Sequence, residues 1–305
     1  MKFLVPLISL LLYLPVNSQE NKKDSTTKIT ANWEKGENKI LLITHNQTKF
    51  KSGKISSVFS LSYEAHISVI SFGKRADTIQ WIFHLPEKYK KANPGIEKVM
   101  PVYEGMRMLF TINESGSFKE LLNWEEVRDV YIAMFEESLP DNLTDSIKTA
   151  LTKSYLLFNS REMAEVAFIK EIQAYHSPFG GNFSTTEKIT HTTFPNPFGG
   201  GALPAVIKYQ LSEIDPQADS FNLTFKSEMD SLNIGSMMDD ILTKMNLPPD
   251  SSINEMKKQL TGLKINDSNS YIIMKMTGWI KKLSCVRTAI IADTKEIDAY
   301  TMRIQ

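Results

Sequence analysis

A long run of alternating apolar and polar residues between Val58 and Phe72 constrains the fold more than any other feature of the sequence. Because successive side chains of a β-strand point to opposite faces, this run predicts a long strand with one buried face. The alternation returns at Ile79–Leu85, which predicts a second strand, and residues 72–77 supply a hairpin turn. The apolar positions of the first run are Phe59, Leu61, Tyr63, Ala65, Ile67 and Val69.

The period changes at Asn123 from that of a strand to that of a helix. Apolar residues with helical spacing predict helices at 124–138, 144–157 and 161–175. Shorter helices are expected near 237–246 and 252–260. Further strands are expected near 39–50, 105–113, 118–122, 205–211, 221–229, 270–277, 279–292 and 297–304.

The order of these segments indicates the fold class. A block of strands, a block of helices and a second block of strands, without β–α–β alternation, favours antiparallel pairing. We therefore predict an α+β fold, in which a curved, mainly antiparallel, half-barrel-like sheet of about ten strands packs against a central helical block at 124–175. One domain spanning 38–305 is expected, after a flexible leader at 19–37.

Residues 1–18 have the composition of a secretory signal peptide. A lysine precedes an apolar run from Phe3 to Leu14, and Val16 and Ser18 occupy the small-residue positions before a cleavage site. The apolar run is too short for a membrane-spanning helix, and no later stretch is longer, so no transmembrane segment is expected. The sequence thus predicts an exported protein, periplasmic or extracellular, from which this peptide is removed.

Cysteine content and charge indicate the route of export and the classes of partner. A lone cysteine, Cys285, favours a bacterial envelope over a eukaryotic secretory route, whereas six N-x-S/T sequons leave the eukaryotic route open. Lysine plus arginine equals aspartate plus glutamate, at 35 each, with no basic block. Neither nucleic acid nor an anionic membrane is therefore an expected partner.

A glycine-rich stretch at 176–204 contains Pro-Phe-Gly-Gly twice. It leads into a predicted strand instead of a helix, so it lacks the helix N-terminus that a phosphate-binding loop needs. Its phenylalanines lie beside glycine and proline and could line the mouth of an apolar pocket; the alternative is that they plug one end of the sheet. We assign ligand-binding roles to Phe179, Phe183, Phe194, Phe198, His176 and His191.

No catalytic residue, metal site or cofactor is assigned. His66 and His84 fall on the polar faces of neighbouring strands, but no third ligand follows at recognisable spacing. Cys285 lies on the apolar side of a predicted strand and is interpreted as a buried hydrophobic residue. The sequence contains none of the common hydrolase, zinc-protease or calcium-loop motifs.

The segments FTINESGSFKELLNWEEVRD, NPFGGG and MKMTGWIKKL, together with the signal peptide, resemble uncharacterised exported proteins of Bacteroidetes-type bacteria. The layout is also similar to that of periplasmic lipoprotein carriers. That second resemblance implies a curved antiparallel sheet closing over helices to hold an acyl chain. Neither resemblance supplies a functional residue.

The expected function is a non-enzymatic, exported binding protein for an apolar or amphipathic ligand. The grounds are the long one-sided strands, the phenylalanine-rich bends and the methionines of the last third of the chain. A scaffold or interaction protein of the cell envelope is the alternative. A hydrolase-type enzyme using His176 or His191 is the third possibility.

Overall fold

The computed structural model describes residues 26–73, 76–87, 104–137, 159–194, 203–213, 219–229 and 263–305. The three helices of this part of the chain are α1 (Trp124–Glu137), α2 (Arg161–Phe168) and α3 (Lys170–His176). Its strands are β1 (Thr26–Lys28), β2 (Asn38–Lys51), β3 (Lys54–Phe72), β4 (Asp77–His84), β5 (Arg107–Ile112), β6 (Phe118–Leu121), β7 (Asn182–Ser184), β8 (Lys188–Phe194), β9 (Leu203–Glu213), β10 (Ser220–Met229), β11 (Lys264–Met274), β12 (Ile280–Ile291) and β13 (Thr294–Ile304).

Eleven of these strands form one sheet, in the order β6-β5-β4-β3-β2-β13-β12-β11-β10-β9-β8. All neighbouring strands in it are antiparallel, which confirms the predicted pairing. Two meanders, β2 to β6 and β8 to β13, meet where β2 pairs with β13. β2 and β13, which come first and last along the chain among these eleven strands, therefore lie at the centre of the sheet. β6 and β8, which precede and follow the helices in the sequence, form its edges.

The predicted α+β class with a central helical block is wrong. Strands hold 61% of the described residues, and the helices described have 14, 8 and 7 residues. The predicted helix at 161–175 is divided at Ile169, whose φ of −121° and ψ of 31° are not helical. The protein is mostly β because its strands, such as the 19-residue β3, are long. The predicted helices at 144–157, 237–246 and 252–260 lie outside the described residues.

One face of the sheet packs against α3, and we call it the inner face. The hydroxyl of Tyr271 donates to the carbonyl oxygen of Ala174 (3.2 Å), and the backbone N–H of Ile280 donates to the hydroxyl of Tyr175 (3.3 Å). Trp81 meets Tyr175 edge to face, with ring centroids 5.9 Å apart. Because α3 is buried over most of its length, it forms the centre of the core on this face.

Residues Ile29–Trp33, which we call the strap, cross one end of the sheet. The backbone N–H of Ala31 donates to Ser115 (3.0 Å), and that of Asn32 donates to Thr277 (3.0 Å). The strap thereby joins the β5–β6 turn to the β11–β12 turn. The predicted flexible leader at 19–37 includes β1 and this strap, whose Ile29 and Trp33 are buried in the core.

Candidate functional site

His176 and Phe179, two of the predicted ligand-binding residues, lie inside the core. His176 is 1% exposed, and its Nδ1–H donates to the carbonyl oxygen of Gly116 (2.8 Å). Burial lowers the pKa of His176 to about 4, because desolvation disfavours the imidazolium form more than this hydrogen bond favours it. Trp33, Phe110 and Phe179 surround the ring at centroid distances of 5.6, 5.2 and 5.7 Å.

Phe183 packs against aromatic residues of the sheet. Its ring meets Tyr209 and Phe225 edge to face at 5.6 and 5.4 Å. His191 is exposed on β8, opposite Val206 on β9, so the two predicted histidines lie in different surroundings. Phe194 is the last residue of β8.

Phe198 lies outside the described residues. A role in ligand binding for this group of six stays a prediction.

His66 and His84 are neighbours on the outer face, with ring centroids 4.2 Å apart. His84 Nδ1 lies 3.0 Å from Glu104 Oε1, and His66 Nε2 lies 3.7 Å from Glu64 Oε2. Among the described residues, no group of three or more His, Cys, Asp or Glu side chains is arranged to hold a metal ion.

Cys285 is buried on the inner face of β12, and burial raises the pKa of its thiol well above the ordinary value. The thiol is therefore suited to packing and not to nucleophilic chemistry.

A different group of polar residues is gathered on the inner face, beyond the part that α3 covers. We call it the charged row. Its members lie side by side on four neighbouring strands and the start of α3, and their side chains contact one another in three groups: His45–Asp298–Lys170, Gln47–Glu296–Lys49 and Arg287–Asp267. Its members are His45, Gln47 and Lys49 of β2, Glu296 and Asp298 of β13, Arg287 of β12, Asp267 of β11 and Lys170 of α3.

Strand register creates the row. On β2 the inner-face positions are odd, and they run from the buried Leu41 and Ile43 to the polar His45. The pairing of Arg287 with Asp298 and with Asp267 places these three residues side by side on the same face. On β2 and β13 the inner face is apolar near α3 and polar further along, whereas on β11 and β12 the charged residue is followed by the apolar Ile265 and Ala289.

The deepest contact of the row is the ion pair between Arg287 and Asp267. Arg287 Nε donates to Asp267 Oδ1 (2.7 Å) and its Nη2 donates to Oδ2 (2.8 Å). The two side chains are only 5% and 7% exposed. A bidentate pair of this kind fixes both planes, and it offsets the cost of removing two charges from water.

Asp298 is the centre of the more open end. His45 Nε2 contacts its Oδ1, and Lys170 Nζ lies 3.6 Å from its Oδ2. Burial alone would raise the pKa of Asp298, but the hydrogen bond with His45 and the charge of Lys170 outweigh it and lower the pKa to about 2. Asp298 is therefore ionised at neutral pH.

Glu296 extends the row along β13 towards the β2–β3 hairpin. Gln47 Nε2 donates to Glu296 Oε1 (2.8 Å), and Lys49 Nζ lies 3.4 Å from Glu296 Oε2. The Lys49 side chain is 30% exposed, whereas that of Glu296 is 7% exposed. In this pair the basic partner is the one nearer to solvent.

Apolar side chains flank the open end of the row. Phe59 of β3 is paired with Gln47, is 40% exposed, and meets the His45 ring edge to face at 5.9 Å. Leu61 and Ile291 are half-buried on the same face. The site therefore combines a partly accessible apolar surface with a small set of converging charged groups, which is the composition of many ligand-binding sites.

Sequence analysis did not find this row, although the strands carry a signal for it. In β12 the inner-face positions read Leu283, Cys285 and Arg287, so a charged residue continues an apolar series. In β11, Asp267 lies between Asn269 and the buried Ile265 on the inner face. A charge in register with buried positions on adjacent strands indicates a buried polar cluster, but only once the pairing of those strands is known.

Comparisons with known proteins leave the family open. No protein-family model matches the chain, and no curated protein matches it.

Within the described part of the chain, no helix has both the length and the apolar character needed to cross a membrane.

Three solved structures give low similarity over most of the chain. Rv2717c from M. tuberculosis is 9% identical, with 86% of this chain and 91% of that chain covered and a TM-score of 0.21. A Bacteroides fragilis protein with a YmcC-like fold, described as a candidate exported protein, is 8% identical, with 92% and 100% covered and a TM-score of 0.24. An outer membrane channel from Pseudomonas putida F1 is 7% identical, with 90% and 98% covered and a TM-score of 0.16. At these TM-scores the likenesses support no conclusion on fold or function.

Proposed function

We propose that this protein is an exported binding protein for an amphipathic ligand, which it holds on the inner face of the sheet at the open end of the charged row. The observation that carries the proposal is the row itself. Replacing a buried ion pair by well-packed apolar residues is often neutral or stabilising, so stability gives little reason for a row of ion pairs that runs from the buried Arg287 and Asp267 to the partly exposed Lys49. A site that orients a ligand requires such groups.

The apolar part of the ligand would contact Phe59 and Leu61 of β3, and its polar part would reach the row beside them. Phe59 is suited to this role because its large aromatic side chain is partly exposed to water, and covering it with an apolar ligand is favourable. Export is supported by the signal-peptide pattern of residues 1–18. Sequencing the N-terminus of the mature protein tests that part, with cleavage expected after Ser18.

Native mass spectrometry after purification without detergent tests ligand binding. We expect a mass increment that organic extraction removes. The matched variants are Phe59→Ser, on the inner face, and Val58→Ser, the adjacent outer-face residue that is 67% exposed. Phe59→Ser should reduce the bound fraction and Val58→Ser should not. An unmodified mass for the wild-type protein, or equal loss in both variants, would contradict the proposal.

A second candidate, an interaction protein of the cell envelope, is favoured by the end of the β2–β3 hairpin. Residues 51–60 are all exposed, and they include the apolar Ile55 and Val58. Exposed apolar residues on a strand are typical of surfaces that bind other proteins. A photo-crosslinking residue at Val58 should then capture a partner in the cell envelope, while one at Lys282, exposed on the outer face of β12, should not.

A further inference from the structure

At its open end the charged row is sorted by depth, with the acids further from water than the lysines that pair with them. Around the open end, the Asp298 and Glu296 side chains are 12% and 7% exposed. The bases that face them, Lys170 and Lys49, are 24% and 30% exposed. A ligand arriving from solvent therefore meets ammonium groups before it meets carboxylates.

These ammonium groups have donors to spare. A lysine ammonium carries three N–H donors. Among the described residues, Lys170 contacts one carboxylate at 3.6 Å and Lys49 contacts one at 3.4 Å, which are ion-pair distances longer than a strong hydrogen bond. Each lysine can keep its carboxylate and still donate to a second acceptor.

The charges of the row also indicate the sign of the ligand. At the open end the more exposed charged groups are the ammonium groups of Lys170 and Lys49, which attract an anion. A cation would lie against these lysines, and like charges at short distance repel.

Resting on the proposed function above, we propose that the ligand is a monoanionic amphiphile. Its single negative head group, of the carboxylate type, accepts hydrogen bonds from Lys170 and Lys49. Its apolar chain lies along Phe59 and Leu61. The buried pair of Arg287 and Asp267 positions the row and does not touch the ligand.

Three probes with the same alkyl chain and different head groups test the inference: dodecanoate, dodecanol and dodecyltrimethylammonium. Their dissociation constants are measured by calorimetry with delipidated full-length protein below the micelle concentration. Dodecanoate should bind about tenfold or more tightly than dodecanol, since one charge-assisted hydrogen bond is worth about that factor, and the cationic probe should bind most weakly. Added salt should weaken binding of dodecanoate but not of dodecanol.

The outcomes separate this inference from the proposed function. Equal affinity for all three probes, or tightest binding of the cation, would overturn the anionic head group and leave an amphiphile-binding protein. No binding of any probe would count against both.

Variants locate the effect. Lys170→Met and Lys49→Met should each remove most of the preference for dodecanoate over dodecanol, and the control Lys282→Met should retain it. The measured quantity is the ratio of the dissociation constants of dodecanol and dodecanoate for one variant. Partial loss of folded protein affects both constants alike and leaves this ratio unchanged. A preference that survives both inner-face substitutions would refute the assignment of these lysines.

Discussion

His176 and Glu165 should oppose each other in the pH dependence of stability. His176 is buried among aromatic rings, and burial lowers its pKa from 6.5 to about 4. Glu165 is held beside the edge strand β6, where it accepts the backbone N–H of Leu121 (2.7 Å), and burial raises its pKa from 4.5 to about 7. The two groups therefore titrate over overlapping ranges of pH, with folding shifting their pKa values in opposite directions.

The signs follow from proton uptake. As the pH falls from 6.5 to 4, the unfolded chain protonates His176 before the folded protein does, so the free energy of unfolding decreases. For Glu165 the folded protein binds the proton first, so the stability that it contributes is present below pH 4.5 and is lost as the pH rises to 7. Folding changes the pKa of each group by an amount that corresponds to about 3 kcal/mol, so the two effects nearly cancel in the wild-type protein.

Single substitutions should expose each effect. His176→Asn keeps a donor for the carbonyl of Gly116 but does not titrate, so this variant should gain about 3 kcal/mol of stability between pH 7 and 4.5. Glu165→Gln keeps an acceptor for Leu121 and imitates the protonated acid, so it should lose a similar amount over that range. His191→Asn, at an exposed position of β8, is the control for replacing a histidine by asparagine.

Urea unfolding at several pH values, followed by tryptophan fluorescence, gives these free energies. Only the change with pH is compared, because either substitution also lowers stability at every pH. If His176→Asn reproduces the wild-type profile, the histidine is not buried as a neutral group, and the reasoning for both residues fails.

Three further predictions concern the strap, the thiol and the charged row. Gly278→Ala should lower the free energy of unfolding by more than about 3 kcal/mol, because φ is +74° and a Cβ there would lie 2.1 Å from the carbonyl oxygen of Thr30. The control Gly53→Ala, with φ of +76° and open space around the new Cβ, should lower it by about 1 kcal/mol. Thermal unfolding of the two variants measures the difference. Cys285 should not react with a thiol reagent until the protein unfolds, and rapid labelling of the folded protein would contradict its burial. Replacing Arg287 and Asp267 together by Met and Leu should leave stability unchanged or raise it by about 1–4 kcal/mol, yet weaken ligand binding. Calorimetry with dodecanoate measures the binding, and unchanged affinity would show that the pair does not position the row.

The strands could be predicted where one face is continuously apolar. The run at 58–72 lies within β3, Lys54–Phe72, and the predicted strand at 279–292 corresponds to β12, Ile280–Ile291. The predicted strand at 270–277 is displaced from β11, Lys264–Met274, because the first half of that strand has only one apolar inner-face residue, Ile265, followed by the polar Asp267 and Asn269. Periodicity detects an apolar face and misses a polar part of the same face.

The fold class was wrong for a related reason. Helical spacing identified α1 and one helix over the residues of α2 and α3, but not the share of helix in the structure, which depends on how far each strand extends past its apolar residues. β2 illustrates this, since its second half, from His45 to Lys51, carries little hydrophobic signal and still pairs along its length with β13 and β3. Strand pairing satisfies the backbone hydrogen bonds of this half whatever its side chains are.

The candidate site depends on pairing in the same way, because its residues come from parts of the chain that are far apart. His45 and Asp298 are separated by 253 positions, and no local pattern brings them together. The pairing of β2 with β13 at the centre of the sheet creates both this contact and the row. Apolar side chains of similar volume often pack at buried positions with equal or better stability, so folding stability gives little reason for keeping the buried pair of Arg287 and Asp267. Under the proposed function the reason is orientation of a charged ligand, which also accounts for the partly exposed lysines beside Asp298 and Glu296 and for the exposed ring of Phe59.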